Sequence, residues 1–260
     1  MEIISTRLMG GLGNMMFQIA TAHSISIRDN KKMICDTKDM LIPHKSYTFY
    51  LENIFKKISF SDTLMNQSLV GEGGFHYSPI PKIDGNVKLV GYFQSEKYFM
   101  NYKTEILKLF EINDTTKNYL LEKYGVIINQ DTCSIHIRRG DYLGLPTHHP
   151  TQSIDYYKNA IQIVGEKKHF LVFSDDIEWC KENFNFLNNK TFISDNKDYE
   201  DLYLMSLCKN NIIANSTFSW WGAWLNKNEN KKVIIPSKWF GVYNSHLNTN
   251  DLYCDKWIKL

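Results

Sequence analysis

The 260-residue sequence predicts an α/β protein of two domains, each built from parallel strand–loop–helix units. Three observations carry that expectation. Short apolar segments alternate with segments of helical period, separated by polar loops. The alternation is most regular after residue 131, and such repetition favours a parallel sheet. The composition, 43% hydrophobic and 14% aromatic, supplies a packed core and excludes wholesale disorder.

In order, Glu2–Leu8 reads as a strand, Gly10–Asn14 as a tight loop and Met15–Arg28 as an amphipathic helix, with Asn14 a candidate N-cap. Lys32–Asp36 reads as a second strand. Thr37–Asn86 reads as irregular, broken by Pro43, Pro79, Pro81 and the Gly71–Gly74 cluster. Val87–Phe93 is a strand, and Tyr102–Phe110 and Thr115–Tyr124 are helices, the second stopped by Gly125. The domain boundary is expected near Gly125–Asp131, giving domains 1–127 and 128–260.

Beyond it the expected strands are Cys133–Arg138, Lys168–Phe173, Thr191–Ser194, Asn211–Ala214 and Val233–Ile235. The helices between them are Ser153–Val164, Ile177–Asn183, Tyr199–Cys208 and Phe218–Leu225. Ligands of such sheets sit beyond the carboxyl ends of the strands, which directs attention to the loops there.

The charge pattern narrows the function. Twenty-six Lys and four Arg face 28 acidic residues, a net charge of +2, which argues against a nucleic-acid binder. Codon bias accounts for the shortage of Arg but not for the adjacency of Arg138 and Arg139. No run of about 18 apolar residues exists, so no transmembrane helix is expected. The five cysteines are scattered without a Cys-x-x-Cys pair, and no signal-like segment opens the chain. The reading is cytoplasmic, with peripheral contact at the inner face of a membrane compatible.

Four segments carry chemistry. His136-Ile137-Arg138-Arg139-Gly140-Asp141-Tyr142 closes a strand, where an Arg fork suits a diphosphate and Gly140 allows close approach. A strand-end pair between Arg139 and Asp141 is the plainer alternative. Gly10-Gly11-Leu12-Gly13-Asn14 lacks the third glycine of a dinucleotide fingerprint, Met16 taking its place, and this disfavours a redox enzyme. Its backbone amides still suit an anion or a sugar hydroxyl. Asn215-Ser216-Thr217-Phe218 opens a helix with hydroxyls and amides sized for phosphate, whereas Trp220, Trp221 and Trp224 read as packing. Asp175 and Asp176 after Ser174 suit a divalent metal, a base or ribose, or simply a helix cap. His148 and His149 have no metal-ligand spacing.

Together these segments, with Phe17-Gln18, Tyr156-Tyr157, Ala160 and the run Asp201–Leu225, resemble the inverting alpha-1,2-fucosyltransferases over most of the chain. The resemblance implies a GT-B-like fold, two Rossmann-like domains facing a central cleft. It implies an acceptor-side domain 1–127 and a GDP-sugar domain 128–260 whose last segment is free to pack back on the first. GDP-fucose would be the donor, a galactose-containing glycan, free or lipid-linked, the acceptor, and no cofactor or metal would be required. Arg138 would neutralise the leaving diphosphate and Arg139 orient Asp141 or add a donor. Ser216 and Thr217 would bind phosphate, helped by Asn215, Gly11 and Gly13. Asp175, Asp176 and Phe218 would hold guanosine, Asn14 would lie near the reacting centre, and Asp141, or else His136, would be the base. Met15 stands where the family usually has Gln, and the segments Thr37–Asn86 and Leu143–Ser153 are compact. Another nucleotide sugar, or binding without turnover, are the competing readings.

Overall fold

A computed structural model describes residues 1–41 and 45–260, the side chain of Asp39 excepted; the expected loop marker Pro43 lies outside them. The chain divides into two compact units, Met1–Asn113 with Leu247–Cys254, and Asp114–His246 with Asp255–Leu260.

The first unit contains β1 (Ile3–Met9), α1 (Leu12–Asp29), β2 (Lys32–Leu41), β3 (Phe60–Ser61), β4 (Ser68–Gly71), β5 (Val87–Val90) and α2 (Lys103–Leu109). Its sheet runs β3-β2-β1-β5-β4, every pairing parallel. Chain order reverses at β1, with β2 on one side and β5 on the other. Helix α1 is apolar on most sides and buried along most of its length. It ends at Asn30, whose left-handed φ of 55° an asparagine accepts more readily than most residues.

Three expectations change here. Helix α1 begins at Leu12 with Gly11 as N-cap, so Asn14 is the third helical residue and not the cap. The tight turn is concentrated in Gly10, at φ +76°, whose N–H donates to Leu41 O. β5 stops at Val90, because the Glu72 carboxylate takes the N–H groups of Tyr92 and Phe93 at 2.7 and 2.9 Å and Phe93 turns to φ 53°. β3 and β4 lie in the segment read as irregular. β4 is largely exposed and has no apolar alternation, so only its pairing with β5 defines it.

The second unit contains α3 (Asp114–Ile128), β6 (Thr132–Ile137), α4 (Ile154–Val164), β7 (His169–Ser174), α5 (Ile177–Asn183), β8 (Lys190–Phe192), α6 (Asp198–Leu207), β9 (Asn210–Ile212), α7 (Thr217–Trp224), β10 (Val233–Ile235) and β11 (Ile258–Lys259). The division falls ahead of α3 rather than behind it. Helix α3 passes through Gly125 because Leu120, Tyr124 and Ile128 form one buried stripe. That stripe outweighs the roughly 1 kcal/mol cost of a mid-helix glycine.

This second sheet is also parallel, in the order β11-β10-β9-β6-β7-β8. β6 is buried throughout and lies between β7 and β9, so the reversal of strand order falls there. One face of this sheet packs Ile135, Ile137, Phe170 and Val172 against Tyr157, Ile161 and Phe184 of the α4 and α5 region. Elsewhere in the unit α6 and α7 pack tightly, and a Cβ on Gly222 would lie 3.0 Å from Met205 Cβ.

Candidate active site

In open parallel sheets the ligand crevice forms outside the carboxyl ends of the strands where their order reverses. In the second unit that position is occupied by the loop after β6, residues 138–141, and the loop after β9, residues 213–216. Tyr142 joins the two loops by donating its hydroxyl to Asn215 O at 2.9 Å. Burial pushes that phenol up to about 12, so it serves as a donor at neutral pH.

The two arginines have separate partners. Arg138 Nη2 lies 2.6 Å from Asp141 Oδ1, and Nη1 lies 2.9 Å from Asp175 Oδ2. Its guanidinium is also 5.5 Å from the centre of the Tyr142 ring. Arg139 turns away, with Nε 2.9 Å from Asp176 Oδ2 and its guanidinium stacked 3.8 Å over the Trp179 ring. The strand-end pair between Arg139 and Asp141 is replaced by Arg138–Asp141. Gly140 is required by Asp175, since a Cβ at that position would come within 2.6 Å of Asp175 Oδ2.

Asp176 caps α5, accepting from Trp179 N at 3.3 Å, and Asp175 accepts from Arg139 N at 2.8 Å. Both carboxylates are therefore engaged inside the protein. Among the described residues no group of three His, Cys, Asp or Glu side chains is arranged to hold a metal.

At the second loop, α7 starts at Thr217 with Ser216 as an N-cap that makes no side-chain capping bond. The first-turn amides of Thr217, Phe218 and Ser219 have no carbonyl partner within the helix, which leaves an opening for an anion. Asn215 works behind it: its amide donates to Pro150 O and Trp239 O and accepts from Gln152. Phe218 is half-buried, with its ring centre 5.5 Å from that of His136. His136 is buried with Nδ1 unbonded. Desolvation, aided by the Arg138 charge, pulls it down to about 3, so its imidazole is neutral and a weak base. Trp220, Trp221 and Trp224 lie in the core as expected.

In the first unit, Gly11, Gly13 and Asn14 sit at the corresponding reversal, between β1 and β5. Asn14 Oδ1 accepts from Gln94 at 3.0 Å, tying the first turn of α1 to the loop after β5. Gln18 grips the end of β1, accepting from Met9 N at 2.9 Å. Gln94 and Trp179 escaped the sequence reading. The only signal for Trp179 was its position three residues beyond Asp176; Gln94 gave none, because its partner is 80 residues away.

Residues 2–260 match the family model described as Glycosyl transferase family 11. The chain belongs to that family. This family 11 glycosyltransferase is 33% identical over 306 aligned positions to the O-antigen biosynthesis glycosyltransferase WbnK of Escherichia coli, covering 97% of this chain and 99% of that one. It is 32% identical to an alpha-1,2-colitosyltransferase of Escherichia coli, covering 100% and 99%. To galactoside alpha-(1,2)-fucosyltransferase 1 of Homo sapiens it is 26% identical over 163 residues, 55% of this chain and 44% of that protein. The family 11 chain superposes on the crystal structure of NodZ alpha-1,6-fucosyltransferase with GDP at a TM-score of 0.58 and 11% identity, covering 85% and 91%. That likeness concerns the fold alone, and the fold is the GT-B-like one that the resemblance implied.

Proposed function

We propose that this family 11 glycosyltransferase moves L-fucose from GDP-fucose, with inversion, to the 2-hydroxyl of a galactoside in an oligosaccharide or surface polysaccharide. One observation supports the reading most. The Arg138 fork after β6 and the open first turn of α7 after β9 belong to the same strand reversal, an arrangement suited to a diphosphate. The second unit then takes the nucleotide sugar, and the first, with Asn14, the acceptor.

In this mechanism Arg138, the α7 amides and the Ser216 and Thr217 hydroxyls carry the charge that develops on the departing GDP. Asp141 receives the proton of the attacking hydroxyl, since its carboxylate is exposed whereas the His136 ring is buried out of reach. Asp175 and Asp176 are already paired with arginines, which favours charge neutralisation by protein donors without a metal. Turnover unchanged by EDTA is the expected outcome, and dependence on added Mg²⁺ or Mn²⁺ would count against it.

A second reading has its own support, in the likeness to the alpha-1,2-colitosyltransferase over the whole chain. Colitose lacks the 3-hydroxyl of fucose, so the two donors differ in one hydrogen-bonding group. Calorimetry with GDP, UDP and CDP tests the nucleotide, and transfer assays with GDP-fucose and GDP-colitose test the sugar. The linkage is then read by NMR. GDP binding with at least tenfold preference and fucose transfer to O2 of galactose is expected. Preference for UDP, or transfer from GDP-colitose alone, overturns the fucose assignment.

A further inference from the structure

Arg138 is held at both ends of its fork, and its two partners are built differently. Asp175 directly follows β7, and its second oxygen takes the Arg139 N–H at 2.8 Å. Its Oδ2 lies against Gly140, where no Cβ could be accommodated, and its side chain is 25% exposed. Asp141 instead opens a single 3₁₀ turn, Asp141–Gly144, its side chain is 44% exposed, and among the described residues it forms an ion pair with Arg138 alone. Arg138 keeps further N–H donors, but an anion that takes the fork end-on, across both Nη atoms, competes with these carboxylates. The exposed, singly held one is cheaper to release, because exposed pairs contribute little.

We propose that Asp141 is an exchangeable counterion of Arg138 and Asp175 a positioning residue that fixes the fork. The inference rests on the diphosphate reading above. Without donor, the Asp141 carboxylate is occupied by Arg138. Diphosphate binding takes the Nη2 position and frees that carboxylate to face the acceptor. The acceptor oxygen then bonds to the anomeric carbon as the bond from that carbon to the diphosphate oxygen breaks. The bonding pair leaves with GDP, and the acceptor proton goes to Asp141. When GDP departs, Asp141 loses the proton to water and pairs with Arg138 again. The donor therefore binds first, and the base is unmasked only when there is something to attack.

The test is GDP titration by calorimetry into the full chain, at one ionic strength, for wild type, Asp141→Asn and Asp175→Asn, with unfolding midpoints measured alongside. Asp141→Asn removes the competitor, so GDP should bind at least about threefold tighter while kcat falls roughly a hundredfold. Asp175→Asn should bind GDP about tenfold more weakly. Asp141→Glu should restore wild-type GDP affinity and part of kcat, and Asp141→Ser serves if the Asn variant does not fold. A purely structural role for Asp141 predicts weaker or unchanged GDP binding in Asp141→Asn, and that result overturns the exchange. Failure of wild type to bind GDP instead removes the underlying functional reading, which is a distinguishable outcome.

Discussion

Arg138 and Arg139 are neighbours in sequence with different surroundings, and only Arg138 has a carboxylate at each end of its fork, whereas Arg139 pairs through Nε and stacks on Trp179. Arg138→Lys keeps the charge and loses the fork. Its kcat/KM with GDP-fucose should drop at least about thirtyfold, roughly 2 kcal/mol of barrier, and a loss below threefold would sink the clamp. Gly140→Ala should lower donor affinity nearly as much without touching a charge, because its new methyl displaces Asp175 Oδ2; calorimetry with GDP reads this directly. The sequence made the arginine pair legible, since planar cations are rare in this chain. It hid their division of labour, because Asp175, Asp176 and Trp179 arrive from a loop and helix more than 35 residues away. His136 was ambiguous for a similar reason. Its proton affinity depends on burial and on the Arg138 charge, neither of which periodicity reports.

Among the elements, the β/α alternation of the second unit was readable because β6, β7 and β10 carry short apolar runs and polar loops separate them from the helices. β3, β4 and β11 were not, since they are edge strands of two to four residues whose existence depends on a partner. Helix α6 carries a separate pH effect. Desolvation raises Asp201 to about 7 even though the Asn196 amide, at 2.9 Å, favours the charged form. In the unfolded chain the same carboxyl titrates near about 4. The native state therefore holds more protons between these values, and stability present at low pH is lost as pH rises through 7. The unfolding midpoint of wild type should fall between pH 5 and 8 relative to Asp201→Asn, which should be the more stable chain at pH 8. An identical slope in both chains would refute this account. Gly222→Ala should lower stability by about 1–3 kcal/mol, because Met205 leaves no room for the methyl between α6 and α7; denaturant midpoints measure it.

Over the whole molecule, the backbone passes between the two units three times, at 113/114, 246/247 and 254/255. The middle excursion anchors Leu247–Cys254 in the first unit: Asp251 accepts from Tyr77 N at 2.8 Å and pairs with Lys97, while Leu252 is buried. A chain cut after His246 also loses β11 and the contact of Trp257 with Trp220. Its thermal midpoint should fall by at least about 5 °C, and one that melts like wild type would show the excursion to be dispensable. This threading also sets a timetable for biosynthesis. At about 5–20 residues per second, the 133 residues from Asp114 to His246 separate the two pieces of the first unit by roughly 7–27 s. The amino-terminal unit therefore leaves the ribosome early and is completed late, after most strands of its neighbour have already been made.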